Sequence, residues 1–245
     1  MIDYKKLQPI NFDKIKLVDF PKDHYYQEEF NKTQVVLHHT VSNPDSIEGD
    51  LKTWLSKPSH IATAFIIASD GTPYQCFPSK YWAYHLGLQK STFDKNNLPY
   101  KPIDKNSIGI EIDNWGGLYL GDGVTIKDFG TPEAPRVIRL EKGKYYTAYG
   151  NIIKVDEKNI SYYPDGFRGY KYFCNYTEAQ IQTVAELLLF FKNKYGIPLK
   201  YNDDMWDVSK RALSGEPGVW AHCSFRYDKS DVHPCSDLIS MLKQI

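Results

Sequence analysis

The sequence has 245 residues, and its 30 basic and 30 acidic side chains give a formal net charge of +0 at pH 7. A nucleic-acid-binding surface needs an excess of basic residues, so this balance argues against a nucleic-acid partner. Hydrophobic residues make up 42% of the chain, enough to fill the core of one large domain. No apolar run approaches the roughly 18 residues of a membrane span, so we expect no membrane insertion.

Residues 1–33 are polar and show no sustained hydrophobic period. They contain no continuous apolar segment of the kind found in secretory signals, which predicts synthesis in the cytoplasm, whatever the final site of action. We interpret them as an N-terminal extension that lies over the surface of a domain formed by residues 34–245.

The first elements of this domain are a strand and a helix. β-Branched residues from Gln34 to Leu37, followed by two histidines, predict a buried strand. Apolar residues at helical spacing between Ser46 and Lys57 predict an amphipathic helix, with Asp45 or Ser46 as its N-cap.

A hairpin and a further strand follow. The Asp-Gly pair at 70–71 lies between the apolar segments 62–69 and 72–77, which predicts a hairpin. Residues 107–113 alternate, so three isoleucines share one face of a strand and Glu111 lies on the opposite, polar face. This strand therefore presents a carboxylate on one side of the sheet.

The segment 116–176 differs in composition from the rest of the chain, because it is rich in Gly, Tyr, Lys and Asp. Short alternating segments lie near 137–140, 145–149 and 152–155. We interpret the whole segment as a β-rich insertion, which can be a wall-binding subdomain, a lid or an extension of the scaffold.

A long helix follows the insertion. Thr177 and Gln180 have the spacing of a capping box, and Gly196 and Pro198 end the helical pattern. Two further elements are a short strand or extended segment at 219–225 and a helix at 236–245. Strands interleaved with helices predict a single mixed α/β domain, with a central mixed β-sheet flanked by helices and one insertion.

The four cysteines have no CxxC spacing and form no dense framework, so we expect buried thiols. They are Cys76, Cys174, Cys223 and Cys235.

Two of the seven histidines have positions that suggest chemistry. His38 ends an apolar strand, and His222 follows the apolar segment 219–221; Asp231 comes nine residues later. Two imidazoles and one carboxylate, with a fourth position left to water, are the ligands of a catalytic zinc. The alternative is two structural histidines and a surface charge cluster.

Four short blocks of sequence occur in a fixed order. They are Val35-Val36-Leu37-His38-His39-Thr40, Ser59-His60 before Ala64-Phe65-Ile66-Ile67 and Asp70-Gly71, Trp82-Ala83-Tyr84-His85-Leu86-Gly87, and Ser107-Ile108-Gly109-Ile110-Glu111-Ile112. In this order the chain resembles the zinc-dependent N-acetylmuramoyl-L-alanine amidases, which share their fold with peptidoglycan recognition proteins and many phage endolysins. The resemblance covers residues 34–115 and resumes at 177–242.

The resemblance implies a role for individual residues. His38, His222 and Asp231 correspond to the three ligands of a Zn²⁺ cofactor. Glu111 corresponds to the catalytic carboxylate, and Lys229 to the lysine that stabilises the tetrahedral intermediate.

A second group of residues corresponds to the substrate groove. His85 matches the histidine that lines this groove in the family. Trp82, Tyr84 and Trp115 lie beside the matched blocks, where they can stack on a sugar or a peptide; packing in the core is the alternative.

Three features depart from the family pattern. His39 adjoins His38, and because a strand alternates its faces only one of them can face the metal; we choose His38. His233 and Cys235 follow the third ligand and are rival ligands. The long insertion is missing from compact relatives.

The resemblance implies a hydrolase that acts on peptidoglycan, cleaving the amide between N-acetylmuramic acid and L-alanine. Because no secretory signal is visible, one form of this function is an endolysin that reaches the cell wall after its release from the cytoplasm. We expect the protein to be a monomer. The alternatives are a recognition module that binds muropeptide without cleaving it and a zinc peptidase that cuts within stem peptides. A pure binding module is expected to have lost some of the five residues implied for catalysis, so their presence favours the hydrolase.

Overall fold

The computed structural model describes residues 2–44, 47–56 and 59–245. The strands are β1 (Lys16–Leu17), β2 (Gln34–His39), β3 (Phe65–Ile67), β4 (Pro73–Gln75), β5 (Ser107–Ile112), β6 (Gly117–Leu120), β7 (Ile126–Asp128), β8 (Val137–Arg139), β9 (Tyr145–Thr147), β10 (Ile152–Ile153), β11 (Ile160–Phe167), β12 (Tyr170–Cys174) and β13 (Gly218–Ala221). The helices are α1 (Ile47–Leu55), α2 (Lys90–Lys95), α3 (Ile103–Asn106), α4 (Glu178–Tyr195), α5 (Lys210–Leu213) and α6 (Ser236–Gln244).

A six-stranded mixed sheet forms the centre of the molecule, with the strand order β1-β4-β3-β5-β2-β13. Strands β3, β5, β2 and β13 run parallel to one another, and β3 is antiparallel to β4. The mixed α/β fold with a central sheet is therefore confirmed. The carboxyl ends of the four parallel strands meet at one edge of this sheet, where the histidines of β2 lie.

The two faces of the sheet have different roles. Leu37 on β2 pairs with Ile110 on β5, and Ile110 pairs with Phe65 on β3. The Phe65 ring contacts Phe191 of α4, with ring centroids 5.7 Å apart, so this face is covered by the long helix. Paired residues of parallel strands project to the same side, so the alternation of β2 and β5 turns Glu111 to the opposite face.

Most elements near the sheet confirm the sequence predictions. The Asp-Gly hairpin joins β3 to β4, and β2 extends the predicted strand through both histidines. Helix α4 begins with the predicted capping box at Thr177 and ends at Gly196, whose φ of 72° is the left-handed conformation that glycine adopts without strain. The helix predicted over 46–57 is α1, and its predicted caps Asp45 and Ser46, like Lys57, lie outside the described residues.

The predicted extended segment 219–225 divides into two parts. Only Gly218–Ala221 forms a strand, and a short 3₁₀ turn from His222 to Ser224 follows it. The turn directs the chain away from the sheet after Ala221. The helix predicted at the end of the chain is confirmed as α6.

The insertion is β-rich, as predicted, and forms a five-stranded antiparallel sheet with the order β10-β9-β6-β12-β11 and a two-stranded sheet of β7 and β8. Strands β8, β9 and β10 lie in the predicted alternating segments. The longest pair, β11 with β12, was not predicted, because Pro164, Asp165 and Gly166 interrupt the alternation and the ladder shifts register between Tyr162 and Phe167.

The first 33 residues are more deeply integrated than a segment lying over the surface. Strand β1 adds an edge to the central sheet beside β4. Phe20 and Tyr25 are buried, and the side chain of Lys32 is fully buried against the carbonyls of Lys105 and Ser107. The apolar residues in this region have no regular period, which is why the sequence did not reveal their burial.

All four cysteines are free and buried, as predicted. Among the described residues, no helix is both long and apolar enough to traverse a bilayer.

Candidate metal centre

The sheet brings the first two predicted ligands together. Strand β2 is parallel to β13, and Leu37 pairs with Ala221. His38, the next residue of β2, and His222, which directly follows β13, therefore emerge at the same edge of the sheet.

Three ligand atoms converge at this edge. The Nδ1 atoms of His38 and His222 lie 3.0 Å apart. Asp231 Oδ2 lies 2.9 Å from Nδ1 of His222 and 3.2 Å from Nδ1 of His38. All three residues are buried, and they form the group that can hold a metal ion among the described residues.

This arrangement fits a zinc ion. Zinc–ligand bonds of about 2.0–2.2 Å at tetrahedral angles place ligand atoms roughly 3.3 Å apart, close to the separations observed. The three ligand atoms come from three residues, as in catalytic zinc sites, which leave one position for water. The donor set therefore suits a catalytic zinc ion.

The outer ring nitrogens fix the histidine tautomers. Nε2 of His222 lies 3.1 Å from the carbonyl oxygen of Leu86 and donates a hydrogen bond to it. In the neutral ring, Nδ1 therefore carries the lone pair. Nε2 of His38 lies 2.9 Å from Nδ1 of His85. His85 Nε2 in turn lies 2.8 Å from Ser107 Oγ, which donates to the carbonyl of Ile103. One consistent assignment of these hydrogen bonds leaves Nδ1 of His38 free to bind a metal.

The surroundings of His38 and Asp231 favour the protonation states that a metal binds. Burial lowers the pKa of His38 to about 4, and the charge of His222 acts in the same direction. Burial alone would raise the pKa of Asp231, but the neighbouring His222 and His38 hold it well below its usual range. A metal binds only neutral imidazoles and ionised carboxylates, so both shifts favour metal binding at neutral pH.

Glu111 lies beside the triad on the adjacent strand. It pairs with His38 in the β2–β5 ladder, so the two side chains project to the same side of the sheet. Its Oε2 atom is buried without a hydrogen-bond partner among the described residues. Burial, together with the charges of Asp231 and Asp50, raises the pKa of Glu111 well above its usual range.

A cavity of about 320 Å³ opens next to Glu111 and is also lined by Asp50, Trp54 and Tyr149. Burial raises the pKa of Asp50 to about 6. Asp50 was missed at the sequence level, although a signal exists: it occupies an apolar-stripe position of α1, three residues after Ile47.

Lys229 lies on the chain segment between the second and third ligands and is partly exposed. Its positive charge acts to lower the pKa of both His38 and Glu111, which places its ammonium group within electrostatic reach of the site. The structure thus brings His38, His222, Asp231 and Glu111 together, and Lys229 acts on this group electrostatically.

The rival ligands lie elsewhere. His39 faces the opposite side of β2, where its Nδ1 lies 3.0 Å from the hydroxyl of Tyr176. His233 Nδ1 lies 2.9 Å from the hydroxyl of Tyr163. Cys235 precedes α6, and burial raises the pKa of its thiol to about 11, opposite to the direction that a thiolate ligand needs.

The residues proposed for the substrate groove occupy three different settings. His85 contacts His38, and its side chain is only 5% exposed. The Trp82 ring is 4% exposed and stacks on Tyr26 with centroids 4.0 Å apart, so little of it is available to a sugar. Tyr84 is 44% exposed.

Trp115, the remaining aromatic candidate, is partly exposed. It lines a separate cavity of about 500 Å³ beside the start of α4. Of the four groove candidates, the open rings are therefore those of Tyr84 and Trp115.

Comparisons with known proteins agree with this picture. The sequence profile of a family described as N-acetylmuramoyl-L-alanine amidase matches residues 30–235. No curated protein sequence matches the chain significantly.

Solved structures similar to this chain include an endolysin amidase, LysCS, from Clostridium intestinale URNW, with 16% identity, coverage of 93% of this chain and 90% of that chain, and a TM-score of 0.42. The Ph2119 endolysin from a Thermus scotoductus bacteriophage has 10% identity, coverage of 94% and 98%, and a TM-score of 0.44. The Staphylococcus aureus hydrolase AmiA has 10% identity, coverage of 99% and 86%, and a TM-score of 0.48. Because these scores are low, the assignment of the chain rests on the family profile.

Proposed function

The chain belongs to the N-acetylmuramoyl-L-alanine amidase family, and we propose from this premise that it is a zinc-dependent peptidoglycan hydrolase. The bond cleaved would be the amide between the lactyl group of N-acetylmuramic acid and L-alanine of the stem peptide. The observation that carries the proposal is the convergence of His38 Nδ1, His222 Nδ1 and Asp231 Oδ2 at the end of the parallel strands. We propose further that the protein acts on the cell wall, as an endolysin does.

His38, His222 and Asp231 would hold the zinc ion, which supplies a Lewis acid and lowers the pKa of a bound water to about 7. His85 and the carbonyl of Leu86 would keep both imidazoles in the tautomer that presents Nδ1.

Glu111 would take the proton of the attacking water at its buried carboxylate. The same carboxyl group would then pass a proton to the leaving nitrogen of L-alanine. Its raised pKa suits this double role, because a general acid must hold a proton long enough to deliver it.

Lys229 would stabilise the negative charge that develops on the carbonyl oxygen of the scissile amide. Its ammonium group is within electrostatic reach of the ligand cluster, and a charge aimed at a developing oxyanion lowers the barrier of the reaction. Tyr84, with its exposed ring, would contact the sugar or the stem peptide.

The test is mass spectrometry of the soluble products formed from sacculi, with and without a zinc chelator. We expect free stem peptides that begin with L-alanine, and we expect the chelator to abolish them. Shortened stem peptides still attached to sugar would instead establish a peptidase, and binding to sacculi without products would establish a recognition module.

A further inference from the structure

The insertion lies against the metal-ligand loop, which we define as residues 222–231 and which carries His222, Lys229 and Asp231. We propose that the β11–β12 hairpin holds this loop in its metal-binding shape, and that Arg168 at the hairpin tip is a positioning residue for the metal centre. The inference rests on the proposed function, because it takes His222 and Asp231 as zinc ligands.

Arg168 inserts its side chain between the hairpin and the loop, where it is only 7% exposed. Its Nη1 donates to the carbonyl of Tyr227 at 3.0 Å, and its Nη2 donates to the carbonyl of Cys223 at 3.2 Å. Nη2 also lies 2.6 Å from Oδ1 of Asp207, which pairs the charge. One planar guanidinium group thus holds the loop at two points, one of them directly after the ligand His222.

The backbone at the hairpin tip is conformationally strained at Arg168. Phe167 pairs with Tyr170, so Arg168 and Gly169 form a two-residue turn, and their φ values are 47° and 88°. Such turns favour Asn-Gly, because both central residues need positive φ. An arginine in this conformation is strained, and strain of this kind persists where the surrounding contacts hold the residue in place.

The same hairpin holds the chain on the other side of Asp231. The hydroxyl of Tyr163 on β11 lies 2.9 Å from Nδ1 of His233. The carbonyl of Cys174 on β12 lies 3.0 Å from Nε2 of His233 and accepts its proton. The hairpin therefore contacts the chain on both sides of Asp231, through Arg168 at Cys223 and Tyr227 and through Tyr163 and Cys174 at His233.

The loop has a short internal link between its ligands. The backbone N–H of Cys223 donates to the carbonyl of Asp231 at 2.9 Å, so the position of Cys223 bears on both His222 and Asp231. Removing Arg168 takes a donor from the carbonyl of Cys223, a fully buried residue, and frees the loop at Tyr227. We therefore expect looser ligands and weaker metal binding.

The experiment compares wild-type protein with Arg168→Ala, Arg168→Lys and the control Arg139→Ala, which changes an exposed arginine of β8 in the same insertion. The first readout is hydrogen exchange of the loop amides in chelator-treated protein, which needs no metal. The second is the Kd for Zn²⁺, measured by competition with a chromophoric chelator.

We expect faster exchange across residues 222–231 and roughly tenfold weaker zinc binding in Arg168→Ala, the size of effect usual for residues that support ligands. Arg168→Lys should bind zinc nearly as weakly, because an ammonium group lacks the planar fork. Arg139→Ala should match wild-type protein in both readouts.

The inference would be overturned if Arg168→Ala showed the same amide exchange and the same zinc affinity as wild-type protein. It would also be overturned if Arg168→Lys bound zinc as tightly as wild-type protein. If wild-type protein itself binds no zinc, the proposed function fails, while the exchange measurement still tests whether Arg168 holds the loop. Should Arg168→Ala not fold, Tyr163→Phe removes only the hydroxyl at the second anchor. Faster exchange near residue 233 would then support the inference, and unchanged exchange would overturn it.

Discussion

The carboxyl edge of the central sheet and the β11–β12 hairpin both contact the metal-ligand loop, but through different chemistry. The sheet supplies His38 and Glu111, the proposed ligand and the proposed acid–base group, whose relative positions follow from the β2–β5 register. The hairpin supplies a guanidinium and a hydroxyl, which contact backbone carbonyls and the ring of His233. On the proposed function, the sheet supplies the groups that react, and we infer that the insertion controls how firmly the loop holds its two proposed ligands.

The largest effect is expected at Asp231, the proposed third ligand, which lies on the loop that the insertion contacts. Asp231→Ala removes one of three ligand groups, so we expect zinc affinity to fall more than roughly 100-fold and amidase activity to be lost. The zinc content of the dialysed protein, measured by inductively coupled plasma mass spectrometry, checks this result. The control Asp19→Ala changes an exposed carboxylate and should retain stoichiometric zinc. Retained zinc in Asp231→Ala would move the third ligand to His233 or Cys235.

Glu111 tests the sheet side alone. Glu111→Gln keeps the size of the side chain but cannot accept or deliver a proton, so we expect kcat to fall by about 10² to 10⁴. Zinc content should stay at the wild-type level, because Glu111 is outside the ligand triad. The exposed Glu157→Gln is the matched control. Loss of zinc together with activity would contradict the division between reacting groups and ligands.

Much of the sheet side was predictable from the sequence, because its signals are local. The period of 107–113, the Asp-Gly turn and the capping box at Thr177 each depend on neighbouring residues, and all three are confirmed. The triad is different, because His38 and His222 are separated by 184 positions and only the resemblance joined them before the fold was known.

The remaining features depend on packing that no local pattern records. Trp82 has the same sequence signature whether it is exposed or stacked beneath Tyr26. The contacts of Arg168 require a hairpin whose strands are interrupted by Pro164 and Gly166 and whose partner loop is about 55 residues away. Phe20 in the N-terminal segment is likewise buried, although the apolar residues around it show no regular hydrophobic period.

Lys229 lies on the metal-ligand loop, which the insertion contacts. Replacing it tests whether this loop also contributes a group to catalysis. Lys229→Ala removes the cation proposed to stabilise the scissile carbonyl, and we expect kcat to fall roughly 10²- to 10³-fold, about 2.7–4 kcal/mol in the barrier. KM and zinc content should change little. The control is Lys171→Ala, an exposed lysine on β12. An unchanged kcat would assign Lys229 to the solvated surface instead.

The smallest expected effect concerns the junction between sheet and insertion, where His39 and His233 are buried as neutral rings. Burial lowers the pKa of His39 to about 4 and that of His233 to about 3. The unfolded chain binds a proton at each histidine near pH 6.5, and the folded protein does not. Their contribution to stability is therefore fully present above pH 6.5 and is lost as the pH falls towards the folded pKa values.

Between pH 7 and pH 5, each of these histidines should lower the free energy of unfolding by roughly 1–2 kcal/mol, measured by denaturant titration with chelator present. Glu111 acts in the opposite direction, because its raised pKa makes the folded protein hold a proton more firmly than the unfolded chain. The change in the free energy of unfolding with pH must therefore be compared between His233→Gln and wild-type protein, because the difference between the two isolates the contribution of His233. This variant should lose less stability on acidification than wild-type protein, because one buried titrating ring is gone. An identical slope would mean that His233 accepts its proton without unfolding, and that the contact between sheet and insertion is open to solvent.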